Sequence, residues 1–173
     1  YDKNFDTFHK NADNIYRVEL QWDKESTQAV LSRPMANVFM NFSPHIVAGA
    51  VTSPFYNETF YSVDKGVEKS TYMEPTMIVD PSFTDVFDFD ILDGSVDALK
   101  EPGKVLVPES LARKIFGEES AVGKQITAKE SKGLLVGFFT TPEGNYTIGG
   151  IYKDLPLNSI IRNAIFLKMD EKA

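Results

Sequence analysis

The segment from Lys104 to Gly117 constrains the fold more than any other part of this chain. Lys104–Val107 is a short apolar strand. Pro108 then marks a helix start, because its fixed φ and missing N–H suit the first helical position. Gly117 is the residue type that commonly ends a helix. The apolar helix residues recur at three- and four-residue spacing, so they share one face and are predicted to be core residues; they are Leu111, Ala112, Ile115 and Phe116.

Composition narrows the class of protein. The chain has 173 residues, enough for one large domain or two small lobes, and 42% of them are hydrophobic, as expected for a folded protein. Its formal charge of −7 argues against a nucleic-acid surface, which needs clustered Lys and Arg. Cysteine is absent, which excludes disulfides and thiolate metal sites. No run approaches the ~20 apolar residues of a membrane helix. The chain also lacks an initiator Met, so we expect it to be a piece of a longer protein.

The first half of the chain predicts a strand, a helix and a second strand in a βαβ-like order. Tyr1–Asn14 has the spacing of a helix, and Tyr16–Trp22 alternates like a half-buried strand. Pro34 begins a helix with a stripe of Met and Phe side chains, which we interpret as a core face rather than a ligand groove; the stripe is Met35, Val38, Phe39 and Phe42. Ile46–Thr52 predicts an apolar strand covered on both faces.

Strands are predicted around Phe60–Val63 and Met77–Val79, on either side of the charged turn Asp64–Ser70. After the central unit, the spacing predicts an antiparallel meander of Gly123–Ala128, Leu134–Phe139 and Tyr146–Tyr152. Ala164–Met169 is predicted to be an apolar final strand. Strands grouped with few helices predict the α+β class.

Two groups of polar residues resemble metal sites. Asp2, Asp6, His9 and Asp13 fall on one face of the predicted first helix, but a solvated face opposite an apolar stripe is the favoured interpretation. An acidic turn hints at a calcium loop; it contains Asp88, Asp90, Asp93, Asp97 and Gly94. The order of acids and the closing Glu of an EF-hand are missing, so a solvated turn is favoured there too.

Catalytic and nucleotide-binding motifs are equally weak. GEESAVGKQ, at Gly117–Gln125, has one residue too many for a phosphate-binding loop, and Gln125 replaces the required Ser or Thr. Ser62 and Lys65 match S-x-x-K without its companion motifs. The two histidines, His9 and His45, lie in no triad or H-E-x-x-H pattern. We therefore predict that the protein is not an enzyme and has no catalytic, cofactor-binding or metal-binding residues.

Four stretches in order resemble one known pattern. The chain is similar to the extracytoplasmic core domain of MacB-like, FtsX-type ABC transporter permeases. The stretches are FHKNADNIYRV, DPSFTDVFDFDILDGS, ALKEPGKVLVPESLARKIFGEESAVGKQI and YTIGGIYKDLPLNSIIRNAIFLKM. The sequence departs from the family at 129–145, where the connection is longer than usual.

The resemblance implies an α+β architecture of two lobes. One is a porter-like βαβ lobe, at 1–79 and 153–173, and the other is a small mixed-sheet lobe of the Sabre type, inserted at 80–152. Such a domain hangs between the first and second membrane helices of a permease, with both termini facing the membrane. The implied location is the cell inner membrane, with this domain in the periplasm.

The resemblance also implies a non-catalytic role. The domain would relay ATP-driven conformational change across the inner membrane for efflux, lipoprotein handling or cell-wall signalling. Its implied partners are a cytoplasmic ATPase, a second permease copy in a dimer, and a periplasmic adaptor or envelope protein. The alternative is a free-standing periplasmic module that binds a ligand or peptide.

Overall fold

A computed structural model describes residues 5–21, 23–54, 56–64, 69–129 and 140–169 of the chain. The helices there are α1 (Arg33–Met40), α2 (Phe83–Val86) and α3 (Glu109–Phe116), with 3₁₀ turns at Ala12–Asn14 and Val96–Lys100. The strands are β1 (Leu20–Gln21), β2 (Thr27–Gln28), β3 (Asn57–Asp64), β4 (Lys69–Val79), β5 (Ile91–Gly94), β6 (Lys104–Pro108), β7 (Gln125–Ala128), β8 (Gly144–Tyr152) and β9 (Ile165–Lys168). Within these ranges, no helix has the length and apolar run that a membrane crossing requires.

Seven of these strands form one sheet in the order β5-β8-β6-β9-β4-β3-β7. Strand β8 also pairs with β7, so the sheet closes on itself through β8, β6, β9, β4, β3 and β7. The closure works because β8 is long: its start pairs with β7, and its end, at Gly150–Tyr152, pairs with β5. Closing a sheet removes exposed strand edges. The remaining strands, β1 and β2, form a separate antiparallel pair.

The core lies on both faces of this sheet. Along β6, Val105 and Val107 join one apolar cluster and Leu106 joins the other, as the two-residue period of a strand requires. The first cluster also contains Leu111, Ala112 and Ile115 of α3. The second packs aromatic rings around Phe166 of β9. The centre of the sheet is therefore covered on both sides.

A buried tyrosine fixes the start of β9. The Tyr152 hydroxyl donates to the Ala164 carbonyl oxygen at 2.7 Å and accepts from the Ala164 N–H at 2.9 Å. Its ring lies 5.5 Å from that of Phe166, centroid to centroid. Burial raises the pKa of Tyr152 well above its ordinary value, so it stays neutral. Both polar groups of Ala164 are thereby satisfied inside the core.

The central strand and helix confirm the sequence prediction closely. Strand β6 ends at Pro108, one residue later than predicted. Pro108 is the N-cap residue of α3, whereas the sequence predicted it as the first residue of the helix. Leu111 and Ile115 are buried. Phe116 is only half-buried, with the Lys124 ammonium over its ring at 4.7 Å from the centroid, so its assignment to the core was too strong. The predicted α+β class is confirmed.

The first half of the chain differs from its prediction. The part of Tyr1–Asn14 that is described consists of turns and one 3₁₀ turn rather than a helix. Among the described residues of the predicted strand Tyr16–Trp22, Leu20–Gln21 form a strand and Tyr16–Glu19 do not; Trp22 lies outside the described residues. Ile46–Thr52 is irregular apart from a bridge between Thr52 and Val79. An alternating or apolar sequence forms a strand only where a partner strand can pair with it. Here Leu20–Gln21 pairs with only two residues of β2, and Thr52 forms a single bridge.

Helix α1 forms where predicted, but its apolar stripe is not core. Val38 is 71% exposed and Phe42, just beyond the helix, is 82% exposed. Ala36 is the buried residue of this helix. The core interpretation of the stripe was therefore wrong. The predicted strand Leu134–Phe139 lies outside the described residues.

The sheet also bears on the predicted lobes. It contains β3, β4 and β9 from the segments assigned to the porter-like lobe, and β5 to β8 from the segment assigned to the insertion. Strand β9 pairs with β4 on one side and with β6 on the other. The boundaries at 79/80 and 152/153 thus coincide with no break in the sheet, and the division into lobes stays a prediction.

Candidate functional site

A junction joins three distant parts of the chain near the start of the described residues. We call it the N-terminal junction: Asp6–Lys10 together with Asp88 and Asn158–Ile160. The Asp6 N–H donates to the Asn158 carbonyl oxygen at 3.0 Å. Asp6 Oδ1 accepts from Ser159 Oγ at 2.6 Å and from the Ile160 N–H at 3.1 Å. These bonds hold Asp6 at a φ of 56°, a left-handed conformation that Asp tolerates better than most residues.

The other side of the junction is built around His9. The imidazole is buried, and its Nδ1 accepts from the Asp88 N–H at 3.0 Å. The Lys10 N–H donates in turn to Asp88 Oδ2 at 2.7 Å. The rings of Phe8 and Phe87 pack against His9, with centroids at 4.1 and 5.3 Å. Asp88 is thus bonded through both its backbone and its side chain.

The electrostatics of His9 favour the neutral ring. Burial lowers its pKa, and the carboxylates of Asp6 and Asp88 offset part of that effect. Because Nδ1 accepts a hydrogen bond, the neutral ring carries its proton on Nε2. Nε2 has no hydrogen-bond partner among the described residues. Such a buried, unpaired group costs about 1–3 kcal/mol.

The junction connects the N-terminal segment to the centre of the sheet. Ser159 and Ile160 belong to the loop that leads into β9, the strand between β4 and β6. Asp88 lies between α2 and β5. Direct hydrogen bonds therefore connect Asp6 to the loop that precedes a central strand.

A second feature is the exposed apolar surface of α1. We define it by Met35, Val38, Phe39 and Phe42, each at least 45% exposed. An open concavity beside it is lined by Asn37, Val38, Asn41 and Phe42. Exposed apolar side chains at helical spacing commonly mark a contact surface.

The structure brings together only part of the predicted acidic face. Asp6 and His9 meet in the junction, Asp13 is exposed, and Asp2 lies outside the described residues. Asp6 is engaged by Ser159 and Ile160 rather than by a metal-binding partner. Over the described ranges, no three His, Asp or Glu side chains are placed to hold a metal ion.

The residues of the predicted acidic turn have separate roles. Asp88 belongs to the junction, whereas Asp93 Oδ2 accepts from Ser120 Oγ at 2.7 Å. Asp97 forms an ion pair with Lys100, in which Asp97 Oδ1 lies 3.0 Å from Lys100 Nζ. Asp90 accepts through its carbonyl from the Lys153 N–H at 2.8 Å. The side chains therefore do not converge as calcium ligands must.

The two remaining motifs are Ser62 with Lys65 and the stretch Gly117–Gln125. Ser62 Oγ is buried with no hydrogen-bond partner among the described residues, and Lys65 lies outside them. Within the stretch Gly117–Gln125, residues Gly117–Lys124 connect α3 to β7, and Lys124 forms an ion pair with Glu119. His45 is exposed.

Sequence reasoning missed the junction because its partners are distant. Asp6 and His9 were grouped with each other, but Asp88 and Ser159 were not assigned to them. The hydrogen bonds span 79 residues from His9 to Asp88 and 153 residues from Asp6 to Ser159. One local signal existed: Asp6 and His9 stand three residues apart with Phe8 between them, an unusual polar pair beside an apolar ring.

Comparison with known proteins identifies relatives of this domain. The family model for the MacB-like periplasmic core domain matches residues 2–171. A solved domain assigned to a permease protein of Porphyromonas gingivalis is 29% identical, with a TM-score of 0.56 over 75% of this chain and 49% of that chain. The periplasmic region of MacB from Actinobacillus actinomycetemcomitans is 15% identical, with a TM-score of 0.55 over 80% of this chain and 55% of that chain.

The chain thus spans about half the length of these solved structures. None of the curated protein sequences matches it. Its α+β fold, together with these relatives, defines a periplasmic domain of the MacB/FtsX-like ABC transporter permease class. The match over residues 2–171 is more specific: the chain belongs to the MacB-like periplasmic core domain family. The resemblance seen in the sequence is confirmed.

Proposed function

We propose that this domain relays ATP-driven movement from membrane helices to the periplasm, without catalysing a reaction itself. The observation that carries the proposal is the N-terminal junction, in which Asp6 binds Ser159 and Ile160 just before β9. In the proposed permease, membrane helices flank the domain at both ends. A shift of the first helix would then reach the central strand of the sheet directly.

The closed sheet supports movement of the domain as one body. Six strands are linked in a ring, so displacing one strand against another breaks several hydrogen bonds at once. Rigid-body rotation about an interface is the easier motion. We therefore infer that the domain moves relative to a second copy rather than bending within its own sheet.

The proposed partners follow from this role. A cytoplasmic ATPase supplies the movement, and a second permease copy in a dimer receives or shares it. A periplasmic adaptor or envelope protein is the proposed recipient, for efflux, lipoprotein handling or cell-wall signalling. The proposed location is the inner membrane, with this domain in the periplasm.

A disulfide between two copies tests the proposal. The chain contains no cysteine, so pairs can be introduced without competing thiols. A cross-link from the Asp85–Asp93 segment to the neighbouring copy should stop export or signalling while ATP hydrolysis continues in part. Reduction should restore function, because only the covalent restraint is removed. A complete cross-link that leaves function intact would contradict the relay.

The alternative function is a periplasmic module that binds a peptide, and the observation that supports it is the exposed apolar surface of α1. A peptide held there would contact Val38 and Phe42. Replacing both residues with Ser should then abolish peptide binding. In the relay, the same double variant should leave ATP-dependent movement of the domain unchanged. The two functions are separated by these results.

A further inference from the structure

His9 is a buried titratable group that the relay does not require. Of the two histidines in the sequence, His9 is 3% exposed, whereas His45 lies in an exposed turn. Phe8 and Phe87 cover the ring of His9. A buried cation is costly in such apolar surroundings, so the folded state favours the neutral ring.

The hydrogen bond to Asp88 depends on the protonation state of His9. Nδ1 accepts from the Asp88 N–H at 3.0 Å, which requires a free lone pair on that nitrogen. The imidazolium ion carries hydrogen on both nitrogens and accepts no hydrogen bond. Protonation therefore turns this contact into two N–H groups that face each other. The Asp88 amide loses its acceptor, and the segment Asp6–Lys10 loses one of its attachments.

The charged groups around His9 are the carboxylates of Asp6 and Asp88 and the ammonium of Lys10. Asp88 Oδ2 lies 4.0 Å from Nδ1, but it already accepts from the Lys10 N–H. Asp88 Oδ1 lies 3.8 Å from Lys10 Nζ. Asp6 is engaged by Ser159 and Ile160. At 4.0 Å, Asp88 Oδ2 lies beyond hydrogen-bond distance of Nδ1, so this carboxylate must move to pair with a protonated His9.

We propose that His9 is a pH-dependent latch: its neutral ring holds Asp6–Lys10 against Asp88, and protonation releases that segment. Because the released ring binds a proton more readily than the buried ring, acid favours release. The closed state has its full stability above the ordinary histidine value of about 6.5, and it loses that stability as the pH falls from there through the lower pKa of the buried ring. This holds whether or not the domain relays movement.

Amide exchange measured by NMR on this 173-residue chain tests the latch. The protection of the Asp88 amide, corrected for the intrinsic rate, should fall roughly tenfold or more between about pH 7.5 and pH 5. The amide of Phe166, in the central strand β9, serves as a reference and should stay protected. The ring of His9 should titrate over the same pH range. Titration of His9 with unchanged protection of Asp88 would overturn the proposal.

Two matched variants isolate the imidazole. His9→Asn keeps a side-chain acceptor near the position of Nδ1 but does not titrate, so the protection of Asp88 should change less than about twofold across this pH range. His45→Asn removes the exposed histidine and should behave like the wild type. An equal acid-induced loss in His9→Asn would overturn the latch. If His9→Asn does not fold, the proposal is tested by the wild-type protein alone, through the protection of its Asp88 amide as His9 titrates.

Discussion

Asp6 Oδ1 lies 2.6 Å from Ser159 Oγ, across 153 residues of chain. The same oxygen accepts from the Ile160 N–H, so one carboxylate binds the whole turn before β9. Leu157 and Ile160, which belong to this turn, both have largely exposed side chains. Leu155 and Ile161, which flank this turn in the chain, are buried in the second apolar cluster, and Asp6 adds polar attachments to the residues between them.

Replacing Asp6 should weaken the fold in a graded way. Asp6→Ala loses the acceptor and strains the backbone at positive φ, so the free energy of unfolding should drop by about 1–3 kcal/mol. Asp6→Asn keeps one acceptor oxygen and tolerates the conformation, so its loss should be smaller. Urea unfolding measures both. Asp13→Ala is the exposed control and should stay within about 0.5 kcal/mol of wild type. Equal effects at positions 6 and 13 would contradict the junction.

Helix α3 offers a matched pair of core and surface residues. Leu111 is 4% exposed, so Leu111→Ala should lower the free energy of unfolding by about 2–5 kcal/mol. Arg113 is exposed and pairs with Glu109 one turn earlier. Arg113→Ala should cost no more than about 1 kcal/mol. Denaturant titration of the two variants checks the register of the helix, and similar losses in both would show the register to be wrong.

Two glycines with positive φ separate backbone strain from steric contact. Gly94 has φ 78° and Gly103 has φ 73°. A Cβ at Gly94 would meet the Gly149 carbonyl oxygen at 2.3 Å, whereas nothing lies within 4 Å of one at Gly103. Gly103→Ala should therefore cost only the strain, about 1–2 kcal/mol. Gly94→Ala should cost about 1–3 kcal/mol more, because β5 must move away from β8. Thermal unfolding of both variants measures the difference; equal costs would place β5 elsewhere.

We predict that the fold needs no metal or nucleotide. Thermal melts in the presence of EDTA, Ca²⁺ or Mg²⁺–ATP should coincide with the melt in buffer alone. A ligand at 100 times its Kd stabilises by about 2.7 kcal/mol, which corresponds to roughly 5–10 °C for a domain of this size. A drop of that size on adding EDTA would reveal a metal that the sequence and the described residues do not indicate.

The predictable part of the fold is the part governed by local signals. Lys104–Val107 and the helix after Pro108 were predicted to within one residue, because proline, glycine and apolar spacing all agree there. Strands β7, β8 and β9 were likewise found near their true positions. In these segments, local propensity and burial favour the same structure.

The failures occur where distant contacts decide. Residues 5–10 have helical spacing, but the bonds from Asp6 to Ser159 and from His9 to Asp88 hold them in turns. The stripe of Val38 and Phe42 has the spacing of a core face yet is exposed, since periodicity shows that a face is apolar and not what covers it. For the same reason, the N-terminal junction could not be predicted: its two halves are far apart in the sequence.

The central proposal is that the domain moves as a rigid body when the ATPase of the proposed permease hydrolyses ATP. Glu118, exposed just after α3, is a suitable site for a spin label. In the full-length permease with its ATPase, the distance between Glu118→Cys labels on two copies should change when ATP is bound. A second pair within one copy, at Glu58 on β3 and Glu118, should keep its distance, because the closed sheet resists deformation. Asp6→Ala should abolish the change between copies while ATP hydrolysis continues, and Asp13→Ala should not. An unchanged distance between copies during active hydrolysis would contradict the account.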